Sequence, residues 1–140
     1  MIPAKVGKAV LDRDNHRCVL ASFGCVWVGT VCDHRVGRGI GGGRGLDVPV
    51  NLVAACGVCN GLKESDTPFA RECARRGLRI RRSHTTTQDL ENAANIPVQY
   101  PDGTWWTLTS TTRCLLRADQ AEELTTRHGL VGGYTTKGGT

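Results

Sequence analysis

The sequence is poor in the side chains that usually build a core. It holds two Phe, two Tyr and one Met. Leu, Ile, Val and Phe together supply 31 of its 140 residues, just above the roughly 20% level below which chains tend to stay disordered. A core that thin gains from a covalent or metal staple. Long apolar runs are also missing. The two longest uncharged runs, Cys18–Cys32 and Val48–Leu62, have fifteen residues each and are broken by Gly, Asn or Pro, whereas a membrane-spanning helix needs about 20 apolar residues. The opening MIPAKVGKAVLDRD contains lysines but no apolar stretch of signal-peptide length. A soluble, cytoplasmic chain is therefore expected. No internal repeat is visible, and at roughly 100–200 residues per domain the length excludes a large multidomain enzyme.

Cysteine and arginine are what the chain has instead. Seven Cys in a cytoplasmic protein are a poor disulfide framework, because that compartment disfavours disulfides and an odd number cannot pair completely. Metal binding explains at least some of these thiols better. The net charge of +5 comes mostly from arginine, fourteen Arg against four Lys. Arg71, Arg75, Arg76, Arg79, Arg81 and Arg82 crowd into one stretch. Such a cluster fits either a polyanion partner or a solvated helix face.

Local patterns give the organisation. Ile2–Asp14 reads as a short helix, with Pro3 early enough to be tolerated. Val26–Val31 reads as a strand ending near Asp33-His34. Six Gly in the eleven residues GRGIGGGRGLD require a loop, and Asn51–Ala55 is either a second strand or the approach to a helix. The segment after Cys59 opens a helix, and a clearer one runs from Pro68 to Arg76 with Gly77 as its stop. Ser83–Asn95 reads as a polar linker. Pro97–Thr109 reads as a hairpin turning at Pro101-Asp102-Gly103, Arg117–Arg127 as a closing helix, and the end from Gly132 as frayed. One of Trp105 and Trp106 is expected in the small C-terminal core, the other at its edge.

Cys56-Gly57-Val58-Cys59 is a CxxC knuckle, and Cys18 with Cys25 forms a second pair upstream. Two pairs make a four-thiolate site of the kind that holds zinc at about 2.3 Å from each sulfur. The upstream spacing is wide, and Cys32 is a rival fourth ligand. Cys73 and Cys114 read as core residues.

Taken in order, the chain gives RDNHRC, then Asp33-His34-Arg35, then GGG, then Asn51-Leu52, then CGVCNGLK. This series, from about Leu11 to Lys63, resembles the HNH endonuclease family. The resemblance implies an α+β chain with a small ββα-metal core over residues 1–82, braced by zinc, and an extension of linker, hairpin and short helix over 83–140. It implies Asp33 and Asn60 as ligands of a catalytic divalent ion, His34 as general base, and Asn51 as the residue that steadies the loop and orients His34. Arg13 and Asp14 would form a structural salt bridge or cap.

One carboxylate and one amide oxygen make a hard, sparse site suited to Mg²⁺ or Mn²⁺. Histidine is the side-chain type that titrates near neutral pH and can take a proton from water. Arg35, Arg38, Arg44, Lys63, Arg71, Arg75 and Arg76 are the candidate DNA contacts. The Gly39–Gly45 loop could bring backbone N–H groups close to phosphate, but it lacks the spacing of a nucleotide-binding loop, which argues against an ATPase. The expected partner is DNA, and for a compact phage-type nuclease also a terminase or other packaging protein in the host cytoplasm. A zinc-ribbon DNA-binding module without catalysis is the competing expectation.

Overall fold

The structure is a computed structural model, and it describes residues 1–39 and 45–129. The expected frayed end and Arg44 lie outside the described residues, as does the middle of the Gly-rich loop. Among the described residues, no helix is long and apolar enough to cross a membrane.

Helix α1 (Ala4–Arg13) starts behind Pro3 and buries Val10. Asn15 and His16, both at positive φ (56° and 55°), end it and turn the chain back. Strand β1 (Val31–His34) pairs antiparallel with β2 (Leu52–Ala55), setting Asp33 opposite Val53 and His34 opposite Leu52. The strand is shorter than its β-forming sequence predicts, because Val26, Trp27 and Val28 stay exposed in the preceding loop. A 3₁₀ turn, Pro49–Asn51, feeds β2, which is buried along its whole length. Helix α2 (Gly57–Ser65) follows one residue later and is N-capped by the Cys56 sulfur.

Asp66 then closes α2 and caps α3 (Thr67–Arg75), its carboxylate accepting from Phe69 N at 3.0 Å. Gly77 stops α3 at φ 75°, and no other residue fits there, since a Cβ would lie 1.9 Å from the Pro97 carbonyl oxygen.

The expected linker over Ser83–Asn95 is instead largely a helix, α4 (Thr86–Asn95), capped by Thr85. Its buried side chains are Asp89 and Ala93, so it carries almost no apolar signal. The hairpin is present as β3 (Val98–Gln99) and β4 (Trp105–Leu108), turning at Gly103 with φ 89°. A third strand that the sequence reading omits, β5 (Arg113–Leu116), extends it, and α5 (Ala118–Arg127) follows. Cys114 is exposed on β5, not a core residue, whereas Cys73 is buried. Both Trp105 and Trp106 are half-buried; Trp106 packs on the main core and meets Tyr100 edge-on at 6.1 Å.

The main core joins Val19, Leu20, Val53, Phe69 and Leu78 to Val98, Tyr100 and Leu108. A second cluster joins Val36, Leu46 and Ile80 to Ala93 and Ile96. Both clusters draw on residues from each side of Arg82, and the chain is a mixed α+β protein.

Candidate functional site

Two clusters of chemistry-bearing side chains lie at opposite ends of the β1–β2 hairpin. At one end, the sulfurs of Cys18, Cys25, Cys56 and Cys59 lie within 4.8 Å of one another. Four sulfurs about 2.3 Å from one ion stand about 3.8 Å apart, so the cluster is a four-thiolate site compatible with structural zinc. Cys25, not Cys32, completes it: the Cys32 thiol on β1 faces the Gly7 carbonyl at 3.8 Å. Within the six-residue gap between Cys18 and Cys25, Ala21 takes left-handed backbone (φ 51°) and Cys25 N donates to the Ser22 carbonyl at 3.1 Å, which folds the segment back towards the knuckle.

Donors surround the sulfurs as they would surround thiolates. Trp27 N donates to Cys25 Sγ and Ser22 N to Cys59 Sγ, both at 3.2 Å, and Cys59 N donates to Cys56 Sγ at 3.4 Å. Burial pushes the Cys18 and Cys25 thiols up. For Cys56, burial is outweighed by the backbone N–H groups of Val26 and Cys59 and the adjacent thiols, which bring it down to about 6.

At the other end, β1 delivers Asp33 and His34 and α2 delivers Asn60 and Lys63. Asp33 is buried, and its Oδ2 accepts from Lys63 Nζ at 2.6 Å. The same ammonium donates to the His34 carbonyl at 2.6 Å. Burial pushes the Asp33 carboxyl above its ordinary value, with the Lys63 charge working against it. Asn60 is half-buried, one turn before Lys63 on the same face of α2. The His34 ring meets Asp47 through Nε2 and Oδ1 at 2.6 Å. That bond, chiefly, holds the Asp47 carboxyl below its usual range.

Asn51, fully buried, donates through Nδ2 to the carbonyls of Val36 (3.1 Å) and Leu46 (3.2 Å), and its Oδ1 accepts from Val36 N (2.8 Å). It thus ties together the two ends of the Gly-rich segment, without touching the His34 ring.

A cleft of about 430 Å³ opens here, with His34, Lys63, Glu64, Arg79, Arg81 and Arg82 among its lining. A larger groove of about 710 Å³, lined by Val48, Val50, Leu108 and Leu124 among others, is mostly apolar and holds no charged side chain.

The expected DNA contacts divide. Arg71 is exposed, and Arg38 and Arg75 are partly so. Three others are buried and bonded within the protein, which corrects the expectation that they contact DNA directly. Arg35 is buried and donates to the carbonyls of Gly77, Val50, Ala93 and Ile96 at 2.6–3.0 Å. Arg76 is buried against the carbonyls of Val19, Leu20 and Gln99. Lys63 is held by Asp33. Arg13 and Asp14 do form the expected buried structural pair, at 2.9 Å. Asp47 has no signal in the sequence: it matches no spacing rule, and only the fold brings it to His34. No family model matches the chain, and no curated protein or solved structure gives a significant match.

Proposed function

We propose that the chain is a divalent-metal-dependent endonuclease of the HNH type, with a ββα-metal core, hydrolysing DNA phosphodiester bonds by nicking or double-strand cleavage. One observation carries the reading. The β1–β2 hairpin running into α2 sets an imidazole, held by a carboxylate on one ring nitrogen, next to a buried aspartate and in an arginine-lined cleft.

The donor chemistry fits a small hard cation. Asp33 and Asn60 offer a carboxylate and an amide oxygen, and Lys63 engages Oδ2 of Asp33, leaving the other oxygen outside that pair. Mg²⁺ or Mn²⁺ held by these two residues would supply Lewis-acid stabilisation of the charge that develops on the phosphoryl group and the departing oxygen. The chain's own part is positional and electrostatic, which is what phosphoryl transfer mostly requires. His34 takes the proton from the attacking water. Arg79, Arg81 and Arg82 along the cleft, with Arg38 beside Asp47 and the exposed Arg71 on α3, meet backbone phosphates, contacts that position a duplex without reading its sequence. A phage origin and a terminase partner belong to the same reading.

The Asp33–Lys63 pair favours a second reading, a zinc-braced DNA-binding module without catalysis, because an ammonium already balances the carboxylate. Supercoiled plasmid incubated with the protein and Mg²⁺ or Mn²⁺ separates the two. The nuclease nicks it, stops with EDTA, and is abolished by His34→Ala. Binding without nicking under every divalent ion, or equal nicking by a folded His34→Ala, leaves the binding module.

A further inference from the structure

Asp47 is the side chain that sequence patterns do not mark and the hairpin end places against His34. We propose that Asp47 is a positioning residue: it fixes the imidazole so that Nε2 carries the hydrogen and Nδ1 faces the reaction as the free base. The proposal rests on the nuclease reading above and deepens it.

The chemistry follows from the donor inventory. Asp47 Oδ1 lies 2.6 Å from His34 Nε2, and an ionised carboxylate can only accept, so the hydrogen between them belongs to the ring. A neutral imidazole has one ring hydrogen, which leaves Nδ1 with its lone pair. The same logic governs histidines whose second nitrogen is fixed by a carboxylate in metal sites and in nucleophilic triads.

The fold keeps Asp47 in that place. Leu46, its neighbour, and Val36, two residues beyond His34, are both bound by the Asn51 side chain. Arg35 N donates to the Asn51 carbonyl at 2.8 Å and Asn51 N to that of Val48 at 3.0 Å, so the backbone on both sides of the pair is anchored to one residue. Asn51 therefore acts on His34 through Asp47. Arg38 Nε, 4.0 Å from the same Oδ1, supplies a cation that keeps the carboxylate charged without displacing the ring.

The test compares wild type with Asp47→Asn, Asp47→Leu and Asp47→Glu, each checked for zinc content and a cooperative melt. Long-range ¹H–¹⁵N correlation on ¹⁵N-histidine protein reads the tautomer of His34, assigned by the signal missing in His34→Gln. Wild type is expected as the Nε2–H form, and Asp47→Leu as a mixture. In Asp47→Asn the new amide can donate to the ring and move the hydrogen to Nδ1. Plasmid nicking should lose about ten- to hundredfold in kcat in Asp47→Asn and Asp47→Leu, with KM for DNA unchanged, and Asp47→Glu should recover part of it.

An unaltered tautomer or an unaltered kcat without the carboxylate overturns the proposal. So does loss of the fold in both Asp47→Asn and Asp47→Leu, which would make Asp47 structural. A wild-type protein that never nicks overturns the nuclease reading and this proposal together, whereas active wild type with unaffected variants overturns this proposal alone.

Discussion

Arg35 shows how one side chain can serve as a structural ligand. Its guanidinium is buried without a carboxylate and instead donates to four carbonyls: Gly77 after α3, Val50 in the 3₁₀ turn, and Ala93 and Ile96 at the end of α4. Burial pulls it down from the ordinary arginine value, but the planar fork matches four fixed acceptors, which no lysine can do. Arg35→Met would leave those carbonyls unpaired, and at about 1–3 kcal/mol for each of the four left unsatisfied the loss should be at least about 4 kcal/mol. Urea unfolding should show a lower midpoint at unchanged slope, and a shift under about 1 kcal/mol would contradict this role. In a sequence, an arginine that meets carbonyls looks the same as one that meets phosphate. That is why Arg35 and Arg76 read as phosphate contacts in the sequence, whereas the four clustered cysteines can be picked out by spacing. The pairs Asp33–Lys63 and His34–Asp47 span thirty and thirteen residues, and only the closed hairpin brings them together.

At the scale of elements, legibility follows local chemistry. The boundaries of α1, α3 and the β3–β4 turn lie close to where Pro3, Pro68, Gly77 and Gly103 punctuate the chain. Helix α4 is hidden because its buried side chains are Asp89 and Ala93, and β5 because its two central residues, Cys114 and Leu115, are both exposed; neither shows an apolar period. The cysteine knuckle is the element where sequence and structure agree most closely, and it would couple a bound metal to secondary structure. Cys56 is both a member of the sulfur cluster and the N-cap of α2, the helix that carries Asn60 and Lys63. Purified protein should therefore contain about one zinc per chain. Cys56→Ser should lose the metal and, with it, the cooperative thermal transition, because ligand binding free energy in such sites is folding free energy. A zinc-free protein that still melts cooperatively would show that the four sulfurs are only a packed cluster.

The whole molecule raises the question of whether residues after Arg82 are an appendage. Three ties say they complete the fold. Tyr100 OH donates to Asp14 Oδ1 at 2.6 Å, and Asp14 in turn is paired with Arg13 and accepts from Ala54 N in β2. Arg76 binds the carbonyls of Val19 and Leu20, beside the cysteine cluster, and that of Gln99 in β3. Ala93 and Ile96 supply half of the acceptors for Arg35. A chain ending at Arg82 keeps all four clustered cysteines, the hairpin and α2, yet it exposes the core faces that Val98, Tyr100 and Leu108 cover. It also leaves Asp14 and Arg35 buried with fewer partners, and a small domain has only about 5–15 kcal/mol in reserve against such losses. Residues 1–82 are thus expected to bind zinc in a local knuckle but to show no cooperative melt and no nicking. A truncated chain that melts sharply and cuts plasmid would make 83–129 a separable extension, and the thin core counted from the sequence would then have to hold by zinc alone.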